Sequence, residues 1–393
     1  MIDQAPTNRP MLLLTEGGLT YRIEKRLGLR DQSPCAVRRA FLSILLTWVP
    51  LLALSAMQGT AGGYHVAMPF LRDYSVHARF ILAVPLLIFA EAILGPHLGH
   101  ASVHFIHSGL VLEEDFKRFD SAVEQGLRWR DSTVAEFLLA LLAYILAIIS
   151  LKSMAVQAST WYVVRVDSTA SLTWAGWWFV LFCVPLFQFL TLRWLWRLFL
   201  WGQFLWRMSK LNLALMPTHP DEAAGLAFVG EAHWFFSIIL FAMSIATASV
   251  LANDIVYDNI SLSHFAPAIA LYVIVSVAVF LAPAFVFCPI LFQTRRSGLL
   301  KYGTLAMEYT SSFQKKWIDT PHPRQEELLG TGDIQSLADL GNSFSFIEKM
   351  GLLPMGHRTP IIFALACLIP MAPLLLTMMR WEEAVKMLFK VML

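Results

Sequence analysis

Charge is what this chain of 393 residues has least of. Asp, Glu, Lys and Arg make up 15% of it, where a soluble domain averages about 25%. The formal net charge is only +2, and no Lys/Arg cluster carries the interleaved aromatics of a nucleic-acid binder, which excludes that class. Cysteine is scarce too. Cys35, Cys183, Cys288 and Cys367 show no CxxC spacing, so neither a disulfide framework nor a cysteine zinc site is expected. The phosphate-binding glycine loop, HExxH and GxSxG are all missing, and with them the commonest nucleotide, metalloprotease and serine-hydrolase signatures. No cofactor is implied.

What is abundant is apolar sequence, 57% of the chain. Runs long enough to cross hydrocarbon fall near residues 40–57, 78–98, 133–151, 173–192, 233–252, 266–292 and 359–379. The expectation is an all-α polytopic membrane protein of about seven spans, the fourth and sixth helices extending into the cytoplasm. Lys and Arg set the orientation. Seven lie in the N-terminal segment 1–39, four in 99–132, four in 193–231 and eight in 293–358. The alternate loops 58–77, 152–172 and 253–265 hold one, two and none. The N-terminus is therefore expected inside. Seven spans then place the 359–393 end outside, against which stand Arg380, Lys386 and Lys390.

The organising stretch is 174–225. An apolar span runs without a proline from 186 into Arg193, Arg197 and Arg207, which fall within a sector of roughly 80° on a Trp-rich helix. In the second span Glu91 lies roughly 18 Å inward of His77 and Arg79. A lone carboxylate there costs a few kcal/mol, on the order of 3, unless it is paired, protonated or hydrated. Two readings stand: an ion pair with Arg193 or Arg197, or a side chain reaching headgroup water. His77 and Arg79 mark the outer mouth, joined by Asp254 and Asp258 in a loop without basic residues.

Other candidates are spread along the chain. Residues 1–10 are expected to be disordered. Leu19, Ile23 and Leu27 with Arg22, Lys25 and Arg26 make a short basic amphipathic helix for the inner leaflet. His97, His100, His104 and His107 form one helical stripe; a solvated polar face is the preferred reading and a metal site the weaker one. Thr133-Val-Ala-Glu136 matches a capping box. Residues 161–166 alternate as a hairpin strand would. Pro217 and Pro220 hold His219 and Asp221 in a rigid turn, either as a titrating cytoplasmic mouth or as an Asx-type turn with Asp221 capping. Asp333 is expected to cap a helix within 293–358, a segment with room for a protein partner. Val49-Pro, Val84-Pro, Val184-Pro and Ala372-Pro echo one another faintly.

At His219-Pro-Asp221…Ala224-Gly225-Leu226 and at Leu328-Leu-Gly-Thr-Gly-Asp-Ile-Gln-Ser-Leu-Ala-Asp-Leu340, the chain resembles an uncharacterised family of multi-pass bacterial membrane proteins. The likeness extends from Gly17-Gly18 through the last span. Where the family reads Ala-Gly-Gly-Leu, this chain has Ala223-Ala224-Gly225-Leu226. The resemblance implies a bacterial inner membrane and a topology, and no activity.

Function is expected to be that of an oligomeric channel or transporter for a small ion or solute, with Glu91, Arg193, Arg197, His219 and Asp221 along its path. The alternatives are a non-transporting sensor, scaffold or assembly subunit and, third, an enzyme using His219 and Asp221 on a lipid-linked substrate. Arginines argue for anions and the outer aspartates for cations, so the sequence leaves the sign open.

Overall fold

The computed structural model describes residues 9–30, 35–63, 66–153, 159–166, 169–319, 331–356 and 358–378. It is an all-α polytopic bundle in which seven helices are long and apolar enough to cross a membrane: Cys35–Met57, Tyr74–His107, Thr133–Ser150, Trp174–Met208, Phe228–Tyr257, Leu262–Trp317 and Arg358–Thr377. The second is the most enclosed. The third turns Phe137, Leu138, Leu141, Ile145 and Ile148 outward, as a helix facing lipid must.

Proline shapes the spans. Tyr74–His77 passes through a π-helical segment, Ala78–Ala83, into Val84–His107. Trp174–Trp178 passes through Phe179–Cys183 into Val184–Met208 in the same way. Pro85 and Pro185 lack the N–H that a regular turn needs, and their rings displace the carbonyl a turn earlier, so the helix widens just before each Val-Pro. Each broken span follows a polar helix and an unbroken span: Gly18–Arg26 with Cys35–Met57, then Phe116–Arg130 with Thr133–Ser153. Two of the four Val-Pro-type echoes thus occupy matching places in two successive units. In the later spans Pro283 and Pro370 fall in 3-10 stretches, Ala282–Phe287 and Ile369–Met378.

The last span runs parallel to the fifth. Trp234 Nε1 donates to Thr359 Oγ1 near the start of both, while Met371 and Leu374 pack with Ala248 and Leu262 at the far end. Arg380, Lys386 and Lys390, which bear on the side of the tail, lie outside the described residues.

The N-terminal stretch is more ordered than its sequence indicated. Residues 1–8 lie outside the described set, but Arg9 pairs with Asp120 at 3.2 Å and stacks over Phe116. Leu12 and Leu14 are fully buried against the second span, and Leu12 N–H donates to Ser102 Oγ. Glycine makes room for this strap: a Cβ on Gly95 or Gly99 would collide with Thr15 or Leu13. The amphipathic helix Gly18–Arg26 comes next, with Leu19, Ile23 and Leu27 exposed.

Glu136 corrects an expectation here. It does not close a capping box in its own helix; its carboxylate accepts from the N–H groups of Leu19 (2.6 Å) and Thr20 (3.1 Å), while Asp131 accepts from Gly18. The third span thereby caps the surface helix, whose free N–H groups carry the partial positive charge of a helix start.

Beyond the bundle, Cys288–Trp317 is a helix of 30 residues, about 45 Å long, and Gly332–Lys349 folds back along it. Asp333 again differs from expectation. It makes no cap; its carboxylate accepts from Lys316 Nζ and Trp317 Nε1, both at 2.9 Å, and so closes one end of the hairpin. Arg295 Nη2 donates to Glu348 O at the other end. The alternation at 161–166 does form a strand: Val163–Val166 pairs antiparallel with Thr169–Leu172.

Candidate functional site

The expected pairing of Glu91 is present and is larger than the sequence indicated. Glu91 Oε1 accepts from Arg197 Nη2 at 2.8 Å and lies 3.5 Å from Arg193 Nη1. Its other oxygen accepts from Arg39 Nη1 at 2.5 Å and Arg30 Nη2 at 2.7 Å. Glu24, on the surface helix, adds a second carboxylate that bonds Arg30 at 2.6 Å and Arg39 at 3.1 Å. Arg30 stacks on Tyr21, and Arg197 on Trp194, whose indole N–H is held by Leu87 O. The faces of Arg30 and Arg197 are thus set by an aromatic ring, and Arg30 and Arg39 by a second carboxylate, before any ligand arrives.

Both repeated units contribute. Arg30, Arg39 and Glu91 come from the first and Arg193 and Arg197 from the second. Arg39 stands in the first turn of the first span, so the cluster lies about one turn inside the end of that helix. Glu91, Arg39, Arg193 and Arg197 are all at least nine-tenths buried. Taking such ions out of water is costly, and mutual attraction offsets the cost only when donors and acceptors are matched. Here they are not fully matched. Four guanidiniums face two carboxylates, an excess of two positive charges among the described residues. Three buried nitrogens, Arg39 Nε, Arg193 Nη2 and Arg197 Nη1, have no hydrogen-bond partner there. Chemically, this is a buried donor-rich cluster suited to negative charge.

Comparison with protein-family models, curated proteins and solved structures returns no match. The site therefore has to be read from its own chemistry.

The other candidates lie apart from the cluster. His219 Nδ1 is 2.8 Å from Asp221 Oδ1. Asp221 is otherwise committed to backbone: its oxygens accept from the N–H groups of Ala223, Gly225 and Ala227. This wraps the chain through left-handed Glu222, Ala224 and Gly225, and Glu222 O then receives Gly351 N–H. The turn joins the bundle to the segment after helix Gly332–Lys349. Burial raises the Asp221 pKa, but these backbone donors and His219 outweigh it and hold the carboxyl below its ordinary value. A depressed folded value means the stabilisation is complete above the unfolded carboxylate pKa of about 3.9 and is lost as pH falls through the folded value. Asp221→Ala should lower stability at pH 7 by about 1–2 kcal/mol. The gap to the parent protein, measured by thermal unfolding in micelles, should narrow below pH of about 4.

His77 and Arg79 are part of the wall rather than an open mouth. His77 Nδ1 accepts from Trp48 Nε1 at 2.9 Å, and Arg79 is buried over the Phe187 ring. Asp254 is half-buried, Asp258 is exposed, and neither is in an ion pair among the described residues. That end is organised instead by Asp73, whose side chain caps the start of the second span. His97, His100 and His104 line a pocket of about 530 Å³ with Glu231, Phe228 and Phe235, and His107 stands exposed beyond it. His97 Nδ1 is engaged with Ile93 O and its ring lies on Phe235. Among the described residues no three His, Cys, Asp or Glu side chains converge as a metal shell.

Arg30, Arg39 and Glu24 were not singled out by sequence. Arg39 reads as topogenic charge at a span's edge, Arg30 as part of the linker and Glu24 as one polar position of a surface helix. Packing of the first span on the second brings Arg39 to Glu91, and the surface helix, docked on the third span, adds Glu24 beside Arg30 and Arg39.

Proposed function

We propose that the chain is a membrane channel or transporter for a small anion, bound where Arg30, Arg39, Arg193 and Arg197 surround Glu91. The observation that carries this is the imbalance at the cluster: among the described residues there is more guanidinium than carboxylate, with buried N–H groups left over. A purely structural pair would be expected to balance its charge. The sign left open by sequence is thus assigned to anions. We place the protein in a bacterial inner membrane with its N-terminus cytoplasmic, on the Lys/Arg asymmetry and the family resemblance.

Anion uptake into proteoliposomes tests this. Arg193→Gln removes the guanidinium with the longest contact to Glu91 and so perturbs the fold least. It should cut uptake about tenfold, the cost of one charge near the ligand. Arg38→Gln, on an exposed residue whose guanidinium bonds Gly28 O and none of the cluster's carboxylates among the described residues, should leave uptake unchanged. Uptake equal in all three proteins, or none above protein-free vesicles, refutes the proposal. A second reading, a membrane scaffold or assembly subunit, is favoured by Leu300, Leu305 and Met307, which stand exposed on the part of the sixth helix that projects beyond the bundle.

A further inference from the structure

The anion's chemical class is written in the same cluster, and assigning it rests on the anion-pathway reading of that site. Arg39, Arg193 and Arg197 are 8%, 4% and 3% exposed, and among the described residues each keeps one buried N–H without an acceptor while another of its nitrogens lies against Glu91. The three unpaired donors are therefore held around one carboxylate by residues from the first and fourth spans. Planar guanidinium forks match the oxygens of a tetrahedral oxyanion, which accepts several bonds at once and carries up to two charges. A halide has no such oxygens, and a carboxylate offers only two. Among the described residues the excess is two positive charges with Glu24 in place and three once its carboxylate is displaced, so a phosphate dianion or phosphomonoester replaces one negative charge with two.

Glu24 marks where such a group would enter. Its side chain is 22% exposed, the most open of the cluster, and it occupies donors of Arg30 and Arg39. It rides on the short helix Gly18–Arg26, whose apolar side chains Leu19, Ile23 and Leu27 face outward. The cluster lies about one helical turn inside the end of the first span, close to the depth at which lipid phosphates sit.

We propose that this cluster is a phosphate site, in which a phosphate or phosphomonoester group displaces the carboxylate of Glu24 and bridges Arg39, Arg193 and Arg197. Glu24 is then a resident competitor, and Glu91 the fixed counter-charge that holds the arginines in place. The phosphate comes either from solution or on a lipid headgroup; the chemistry is common to both.

The test is equilibrium binding to the full chain in maltoside micelles, which contain no phosphate. One arm adds orthophosphate, the second phosphatidic acid doped into the micelle, and chloride and acetate serve as controls. Saturable binding of either phosphate probe is expected, weakened about tenfold by Arg193→Gln and tightened about tenfold by Glu24→Gln, each a change of one charge at the site. Orthophosphate binding marks a dissolved ligand; binding of phosphatidic acid alone marks a lipid. Glu24→Gln lies at the half-open edge of the cluster, so its opposite sign stays measurable should the arginine variant lose its fold. Phosphate probes binding no better than chloride and acetate, or binding that Glu24→Gln leaves unchanged or weakens, overturns the inference. The two failures are distinguishable. Arg193-dependent uptake of chloride without phosphate binding leaves the anion pathway standing and removes only the phosphate class. Phosphate binding without uptake of any anion removes the pathway and leaves the site.

Discussion

Glu91→Gln should lower stability by about 3–5 kcal/mol, the cost of breaking a buried ion pair from one side. The amide fits the same space, so packing is preserved. What changes is charge: the carboxylate that contacts all four guanidiniums is gone, and only half-buried Glu24 remains against them. Like charges at this separation repel in a medium that screens poorly. Thermal unfolding in micelles and the yield of monodisperse protein both report the effect. The double substitution Glu91→Gln with Arg197→Gln removes one charge of each sign and should recover part of the loss. Two equal single effects that simply add would mean the groups act independently, contrary to the geometry.

The second large effect is expected at the opposite end of the bundle. Asp73 Oδ1 accepts from Ser75 N–H, Ser75 Oγ, Val76 N–H and Asn253 Nδ2, and Oδ2 accepts from Trp161 Nε1 at 2.8 Å. One carboxylate thus starts the second span, ties it to the fifth, and satisfies a fully buried indole from the loop before the hairpin. Asp73→Ala removes a helix cap worth about 1 kcal/mol and orphans a buried N–H at about 1–3 kcal/mol. A net loss of about 2–4 kcal/mol is expected by thermal unfolding. Asp73→Asn, which keeps oxygen acceptors for the cap, should lose less.

Much of the fold was legible because hydrocarbon-length apolar runs are a strong signal, and all seven expected spans have a counterpart in the structure. Glu91 and the Arg193/Arg197 stripe were also legible, since ionisable groups inside a span require partners. The rest depended on long-range contacts that leave no local pattern. Glu136 caps a helix more than a hundred residues earlier in the chain. Asp333 reaches back to Lys316 and Trp317 instead of forward to its own helix. Arg39 joins Glu91 because the first span packs on the second, and Arg30 and Glu24 arrive from the segment before it, none of which leaves a local pattern. Asp73 had a readable signal, an Asp immediately before a helical run, but its five donors come from three separate regions of the chain. His219 and Asp221 were identified as a rigid turn, and the structure commits the Asp221 oxygens to backbone N–H groups.

The claim that the Glu91 cluster is a donor-rich anion site is tested most directly by a density map of the full chain in phosphate-containing buffer and lipid. Non-protein density is expected in contact with Arg193 Nη2 and Arg197 Nη1, within hydrogen-bond distance of at least two guanidiniums. Guanidiniums bonded only to protein carboxylates, with their remaining nitrogens packed against apolar side chains and no density beside them, would contradict it.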